Sequence, residues 1–197
     1  MKNTDPNIID YNLLHKAIKF FGKQGFTQIE TPWRVSKEAI EVTFNSQDSF
    51  SSNDKFLVGS AEQGFLELKL QNKLLNNQYM SVSPCFRNEK EDYFHQQEFV
   101  KLELIYFSKF CVTPECVEFN FFRQQVIKFL TKELDFKQKN IIISITNDSS
   151  SIYSEDILIN GIEYGSYGIR KFKDEYYIYG TGIALPRTSK IYHSLLK

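Results

Sequence analysis

Cysteine is scarce and uneven in this chain: Cys85, Cys111 and Cys116 are an odd number without zinc-ligand spacing, so no metal cluster is read from them and a reducing, cytoplasmic setting is expected. The opening residues, MKNTDPNIID, hold no apolar core of a secretory signal. No stretch approaches the roughly 18 consecutive apolar residues of a membrane-spanning helix, so a soluble protein with no membrane partner is expected. Net charge is missing too. Lys plus Arg and Asp plus Glu stand at 24 each, which removes the overall basic excess of a dedicated nucleic-acid binder and leaves room only for a local basic patch. Linkers, repeats and low-complexity segments are absent, and residues 1–197 read as a single domain.

What is present is ordinary in amount. Hydrophobic residues make up 42% and charged residues 24% of 197 positions, a composition that excludes disordered, collagen-like and coiled-coil classes. A chain of this length buries ~70% of its unfolded surface in one core and needs no covalent staples. The 18 Phe and 11 Tyr are unusual, but no function is drawn from them.

Leu14, Ile18 and Phe21 fall at helical spacing and predict a helix from about Asp10 to Lys23. GFTQIETP then reads as a strand stopped at Pro32. Residues 33–53 are polar and mixed, and a mobile loop with one helical turn is expected. Ser60 is an N-cap with Gln63 as capping-box partner, ahead of an apolar stripe of Phe65, Leu66, Leu70 and Leu74. Residues 78–87 and 97–109 read as two strands of a long-tipped hairpin. A helix is expected from about Thr113 to Leu134, with Val117, Phe121, Val126, Phe129 and Leu130 on its apolar face. IIISIT at 141–146 reads as a buried strand, and Asn160-Gly161 between apolar runs signals a type I′ hairpin. The last strand runs from about Glu175 into GTGIALPR, and a short helix closes the chain. This order favours an α+β fold: a mostly antiparallel sheet with helices packed on it.

Three constellations bear chemistry. Arg87 and Glu89 stand at the end of one strand, two apart and so on one sheet face, and Glu98, Phe99, Lys101 and Glu103 lie on the next. A guanidinium fork suits phosphate, a carboxylate accepts from an amine, and a ring stacks on a base; the set equally suits a surface charge pair with Phe99 in the core. Asp156 and Glu163 flank the Asn160-Gly161 turn, either as hard ligands for magnesium or as two solvated carboxylates. Arg170 lies an odd number of residues after Glu163, so the two share a face only across a bulge, for which Gly165 and Gly168 give room. GTGIALPR at 180–187 is a backbone that approaches an anion closely, or a plain strand-to-helix turn.

In their order these segments resemble the catalytic domain of class II aminoacyl-tRNA synthetases. KFFGKQGFTQIETP is similar to the family's motif 1, and FRNE with His95 and Glu98-Phe99 to motif 2. GTGIALPR is similar to motif 3. GSAE at 59–62 and DILINGIEYGSYGIR at 156–170 are similar to segments of the aspartyl, asparaginyl and lysyl group. The resemblance implies a six- or seven-stranded mostly antiparallel sheet, activation of an amino acid by ATP to an aminoacyl-adenylate, and a homodimer built through motif 1. It implies Arg87 and Arg187 as catalytic residues and ATP held by Arg87, Glu89, His95, Phe99 and Arg187. Magnesium would lie at Asp156 and Glu163, and the amino acid at Ser60, Glu62, Glu103 and Arg170. Two positions depart from the pattern: Ala184 replaces a glycine and Pro186 an acidic residue ahead of Arg187. No segment resembles the family's anticodon-binding domain. The expected acceptor is therefore a protein, a small amine or ammonia, as in AMP-forming asparagine synthetase-like enzymes. A minimal tRNA synthetase acting on an acceptor stem and a non-catalytic dimeric regulatory module are the alternatives. Specificity is divided: Arg170 matches the aspartyl and asparaginyl pattern, Glu62 the lysyl one, and Phe65 stands where aspartyl enzymes have lysine.

Overall fold

The computed structural model describes residues 9–195 apart from 45, 47, 48 and 76. Asp10 caps helix α1 (Tyr11–Lys23), its carboxylate accepting from the backbone of Asn12 and Leu13. The helix buries Leu13, Leu14, Ala17 and Phe21, the face its sequence period marks out. The GFTQIETP strand is shorter than expected. Only β1 (Thr27–Gln28) pairs, and it does so in parallel with β5 (Gln78–Phe86). In the polar stretch after Pro32, whose residues 45, 47 and 48 lie outside the described residues, β2 (Arg34–Val35), β3 (Ser51–Ser52) and β4 (Lys55–Leu57) form a small sheet in the order β2-β4-β3, with a single-turn helix α2 (Lys37–Ile40). Ser60 and Gln63 close the expected capping box on α3 (Ala61–Leu70).

The long hairpin of β5 and β6 (Glu98–Ser108) leads to α4 (Val117–Lys128), which passes into a π-helical turn at Phe129–Glu133. Three strands follow: β7 (Ile141–Thr146), β8 (Tyr153–Ile159) and β9 (Ile162–Phe172). Strand β10 (Glu175–Leu185) and helix α5 (Arg187–Leu195) close the chain. The main sheet has seven strands in the order β1-β5-β6-β10-β9-β8-β7, and every pair but β1–β5 is antiparallel. Asn160 and Gly161 both have positive φ, at 51° and 80°, as a type I′ turn requires.

The sheet is packed on both faces. Alternation along β6 sends Leu102 and Leu104 to one side, with Phe21, Phe122 and Val126. It sends Ile105 and Phe107 to the other, with Phe65, Leu66 and Tyr177. Lys101 and Glu103 share the second face by the same period of two.

Three readings need correction. The 141–146 run is an edge strand: Ile142, Ile143 and Ile145 are exposed, because β7 pairs only with β8 and an apolar run alone does not distinguish edge from centre. On α4 the buried face is Phe119, Phe122, Gln125 and Val126, while Val117 and Phe121 are exposed; the helix starts later than Thr113, with Cys116 as its N-cap. Cys111 and Cys116 are joined in a disulfide, a pairing the expected reducing setting did not include. Cys85 is free and buried, and that burial pushes its thiol up to about 12. Among the described residues, no helix is long and apolar enough to cross a membrane.

Candidate active site

A cavity of about 330 Å³ opens on the sheet face that carries Lys101 and Tyr179, beyond the end of the α3 packing. Its floor is side chains of β6, β8, β9 and β10. Its rim is the N-terminus of α3, the β5–β6 loop and the start of α5. Nine of the eleven sequence-marked residues line it: Ser60, Glu62, Arg87, Glu89, Phe99, Asp156, Glu163, Arg170 and Arg187. Two do not. His95 is turned to Asp92, its Nδ1 2.8 Å from a carboxylate oxygen, and hydrogen bonds from His95 hold Asp92 down to about 2. Glu103 lies beneath the lining, fully buried and 2.7 Å from the Lys101 ammonium.

Arg87 and Glu89 are not aligned by a shared strand face, since β5 ends at Phe86. The Arg87 backbone N–H donates to Gln97 across the loop, and its Nε donates to the Gly59 carbonyl at 3.0 Å. The guanidinium sits against the rings of Phe99 and Phe44, 5.1 and 5.8 Å from their centroids. Among the described residues, no carboxylate forms an ion pair with it. A cation held by its own backbone bond and two rings, in a concave site, is a receptor for an anion.

Asp156 and Glu163 reach the cavity together with Arg170 because β9 carries a bulge. Ile157 pairs with Gly165 and Leu158 with Glu163, which shifts the alternation by one and returns Glu163 to the face of Ser166 and Arg170. A Cβ at Gly165 would lie 2.6 Å from Thr181 Oγ1, so the bulge needs a glycine there. Arg187 donates to Glu163 Oε1 at 2.7 Å. Asp156 is pushed up from the usual carboxylate value, by burial above all and by the charge of Glu163, against a hydrogen bond with Ser166.

Arg170 is engaged at each nitrogen: Nη1 donates to Glu62 Oε1, Nη2 to Asp148 Oδ2 at 2.5 Å and Nε to Ser150 Oγ at 3.0 Å. Its guanidinium stacks 3.8 Å from the Tyr179 ring centroid, and Tyr177 donates to Glu62 at 2.9 Å. Asp148 and Tyr179 escaped the sequence reading, and Lys101 was noted there without a role. Asp148 follows the isoleucine strand in a loop with no motif spacing, and the tyrosines are hidden among eleven. Lys101 alone had a usable signal, being two residues from Phe99 and Glu103 on one strand face.

The arrangement places separate cations, Arg87 and Arg187, in one concavity with paired acids and a ring, the donor set for a polyphosphate and its counter-ion. Serine–tRNA ligase of Cenarchaeum symbiosum (strain A) is 26% identical over 113 residues, 49% of this chain and 27% of that protein. The Nitrosopumilus maritimus (strain SCM1) serine–tRNA ligase is 20% identical over 118 residues, 51% and 28% respectively, so the matched part spans about a quarter of these relatives. Among solved structures, a pyrrolysyl tRNA synthetase of Desulfitobacterium hafniense superposes with a TM-score of 0.72 at 16% identity, over 93% of this chain and 69% of that one. The seryl-tRNA synthetase of Pyrococcus horikoshii complexed with ATP gives 0.66 at 20% identity, over 92% and 49%. Residues 7–111 match the family described as tRNA synthetases class II (D, K and N). That match takes in more than half of the 197 residues, from α1 through both strands that frame Arg87, and the chain belongs to this class II tRNA synthetase family.

Proposed function

We propose that this chain activates an amino acid with ATP, forming an aminoacyl-adenylate and pyrophosphate, and hands the aminoacyl group to an acceptor not chosen by its anticodon. The observation that carries the reading is Arg87: a cation without a carboxylate partner among the described residues, set in the same cavity as Arg187. A carboxylate oxygen of the amino acid attacks the α-phosphorus. One oxygen–phosphorus bond forms, the α–β bridge breaks, and pyrophosphate leaves. No proton has to move, so alignment and charge neutralisation are what the protein must supply. Arg87 holds the α-phosphate, Arg187 the γ-phosphate, Glu89 the adenine amine and Phe99 the adenine ring.

Asp156 and Glu163 fit a magnesium ion by their chemistry. They are two hard oxygen donors on one face, and the charge of Glu163, which adds to the burial that lifts Asp156, would be offset by a cation. When bound, the ion neutralises phosphate charge. His95, turned to Asp92, reaches phosphate only if the β5–β6 loop rearranges.

For the acceptor, equal numbers of cations and anions supply no general field for a polyanion, which favours a protein amine, a small amine or ammonia. Transfer to tRNA is the second reading, favoured by the similarity to serine–tRNA ligases. Calorimetry with ATP tests the core of the proposal: wild type binds and Arg87→Ala does not. Equal binding by both contradicts it. Incubation with bulk tRNA and with amine acceptors, following the labelled amino acid, separates the two acceptor readings.

A further inference from the structure

The resemblance leaves the amino acid undecided between an acidic-type and a lysine-type pattern, and the corner around Arg170 resolves it. Resting on the activation reading above, the argument is one of charge. Arg170 is 8% exposed at its side chain, each of its nitrogens already donates to Glu62, Asp148 or Ser150, and Tyr179 covers one face of it. A third carboxylate, from an acidic substrate side chain, would have to displace one of these bonds and would stand beside two carboxylates of like charge.

Two carboxylates against one guanidinium leave a surplus of one negative charge. Asp148 keeps its share of that charge: burial opposes ionisation, but hydrogen bonds from Ser151 and Ser150 and the charge of Arg170 outweigh it and hold its carboxyl well below the usual range. Beside this corner on β6 stand Lys101 and Glu103, 2.7 Å apart; burial pushes the Glu103 carboxyl up to about 7, so at pH 7.5 it is mostly ionised and the pair adds no net charge. Tyr177 and Tyr179 add dipoles only. Every amino acid brings one ammonium, which takes the surplus, while its α-carboxylate belongs at the phosphate end near Arg87. The side chain then faces a corner of balanced charge, lined by Thr146, Asn147 and Ser154.

We infer that the amino acid this site accepts has an uncharged side chain, and that Arg170 is a positioning residue holding Glu62 and Asp148 for the substrate ammonium rather than a receptor for a side-chain carboxylate. Glu62 thereby joins Asp148 as an ammonium ligand and ceases to mark a lysine substrate.

The test is calorimetry of the full chain, loaded with an ATP analogue whose α–β bridge is a methylene, against each of the twenty amino acids at pH 7.5. Heat from one or more uncharged amino acids, and none from aspartate, glutamate, lysine or arginine, is the expected result. Asp148→Asn weakens the uncharged ligand by about tenfold, the scale of one near-surface charge interaction, and Asp148→Glu restores it. Arg170→Gln leaves two unopposed carboxylates and gains binding of lysine, a change of selectivity that a purely structural role would not produce. Strongest binding of a charged amino acid by the wild type, or binding of none, overturns the inference. Pyrophosphate exchange measured alongside separates the two proposals: an uncharged ligand that binds without exchange sinks activation and leaves this inference standing, whereas exchange with aspartate does the reverse.

Discussion

Glu103 is fully buried on β6, ion-paired with Lys101 and without a hydrogen-bond partner for Oε1 among the described residues. Burial pushes its carboxyl up to about 7, the charge of Glu62 adding to the rise and those of Lys101 and Arg87 opposing it. In the unfolded chain the same group ionises near 4.5. Between these values the folded state holds a proton that the unfolded state has released, so stability falls as pH rises from about 4.5 to 7, by roughly 3 kcal/mol in all. Urea melts across that window should show the decline in wild type and lose it in Glu103→Gln; an unchanged slope in the variant would place the titration elsewhere. At this scale the sequence was legible where residues fall in motifs, which marked Arg87, Glu163 and Arg187, three side chains that the fold brings to one cavity. It was silent on Asp148, because a loop carboxylate acquires its partner only when β7 and β8 bring that loop against Arg170. It placed His95 by analogy, and the structure turns that ring toward Asp92, three residues away and already in hydrogen-bonding reach.

The bulge in β9 returns Glu163 to the face of Ser166 and Arg170. Gly165→Ala forces a methyl against Thr181, and overpacking of this kind costs ~1–3 kcal/mol. We expect a lower melting temperature together with loss of ATP binding; a variant as stable and as active as wild type would show that the bulge tolerates a side chain. The Ser60 cap is an ordinary counterpart. Ser60→Ala removes the side-chain acceptor for the α3 N-terminus and should cost ~1 kcal/mol, a fall of about 2–4 °C for a chain of this size. Elements with local determinants were readable: the Ser60 cap, the Asn160-Gly161 turn and the β5–β6 hairpin. The edge position of β7 and the buried face of α4 were not, because each depends on which neighbours the sheet order supplies. The small β2-β4-β3 sheet was missed because its strands are two or three residues long, too short for any period to register.

At the scale of the molecule, α1 turns its apolar face to the sheet and β1 ends the sheet with Thr27 and Gln28 exposed, so the segment similar to motif 1 borders an open edge. We propose a two-fold dimer across that edge. Light scattering should give twice the 23.1 kDa chain mass; a monomer at working concentration would refute it. The α+β class was legible because helix and strand periods alternate in a recognisable order, and a sheet of six or seven strands was what the resemblance of the ordered motifs implied. We propose above all a chemical role for this cavity, the joining of an amino acid to AMP. Amino-acid-dependent exchange of labelled pyrophosphate into ATP, run with each of the twenty amino acids on wild type and on Arg187→Ala, tests it most directly. The account predicts exchange with at least one amino acid, lost in the variant; no exchange with any of them and no binding of ATP would contradict it.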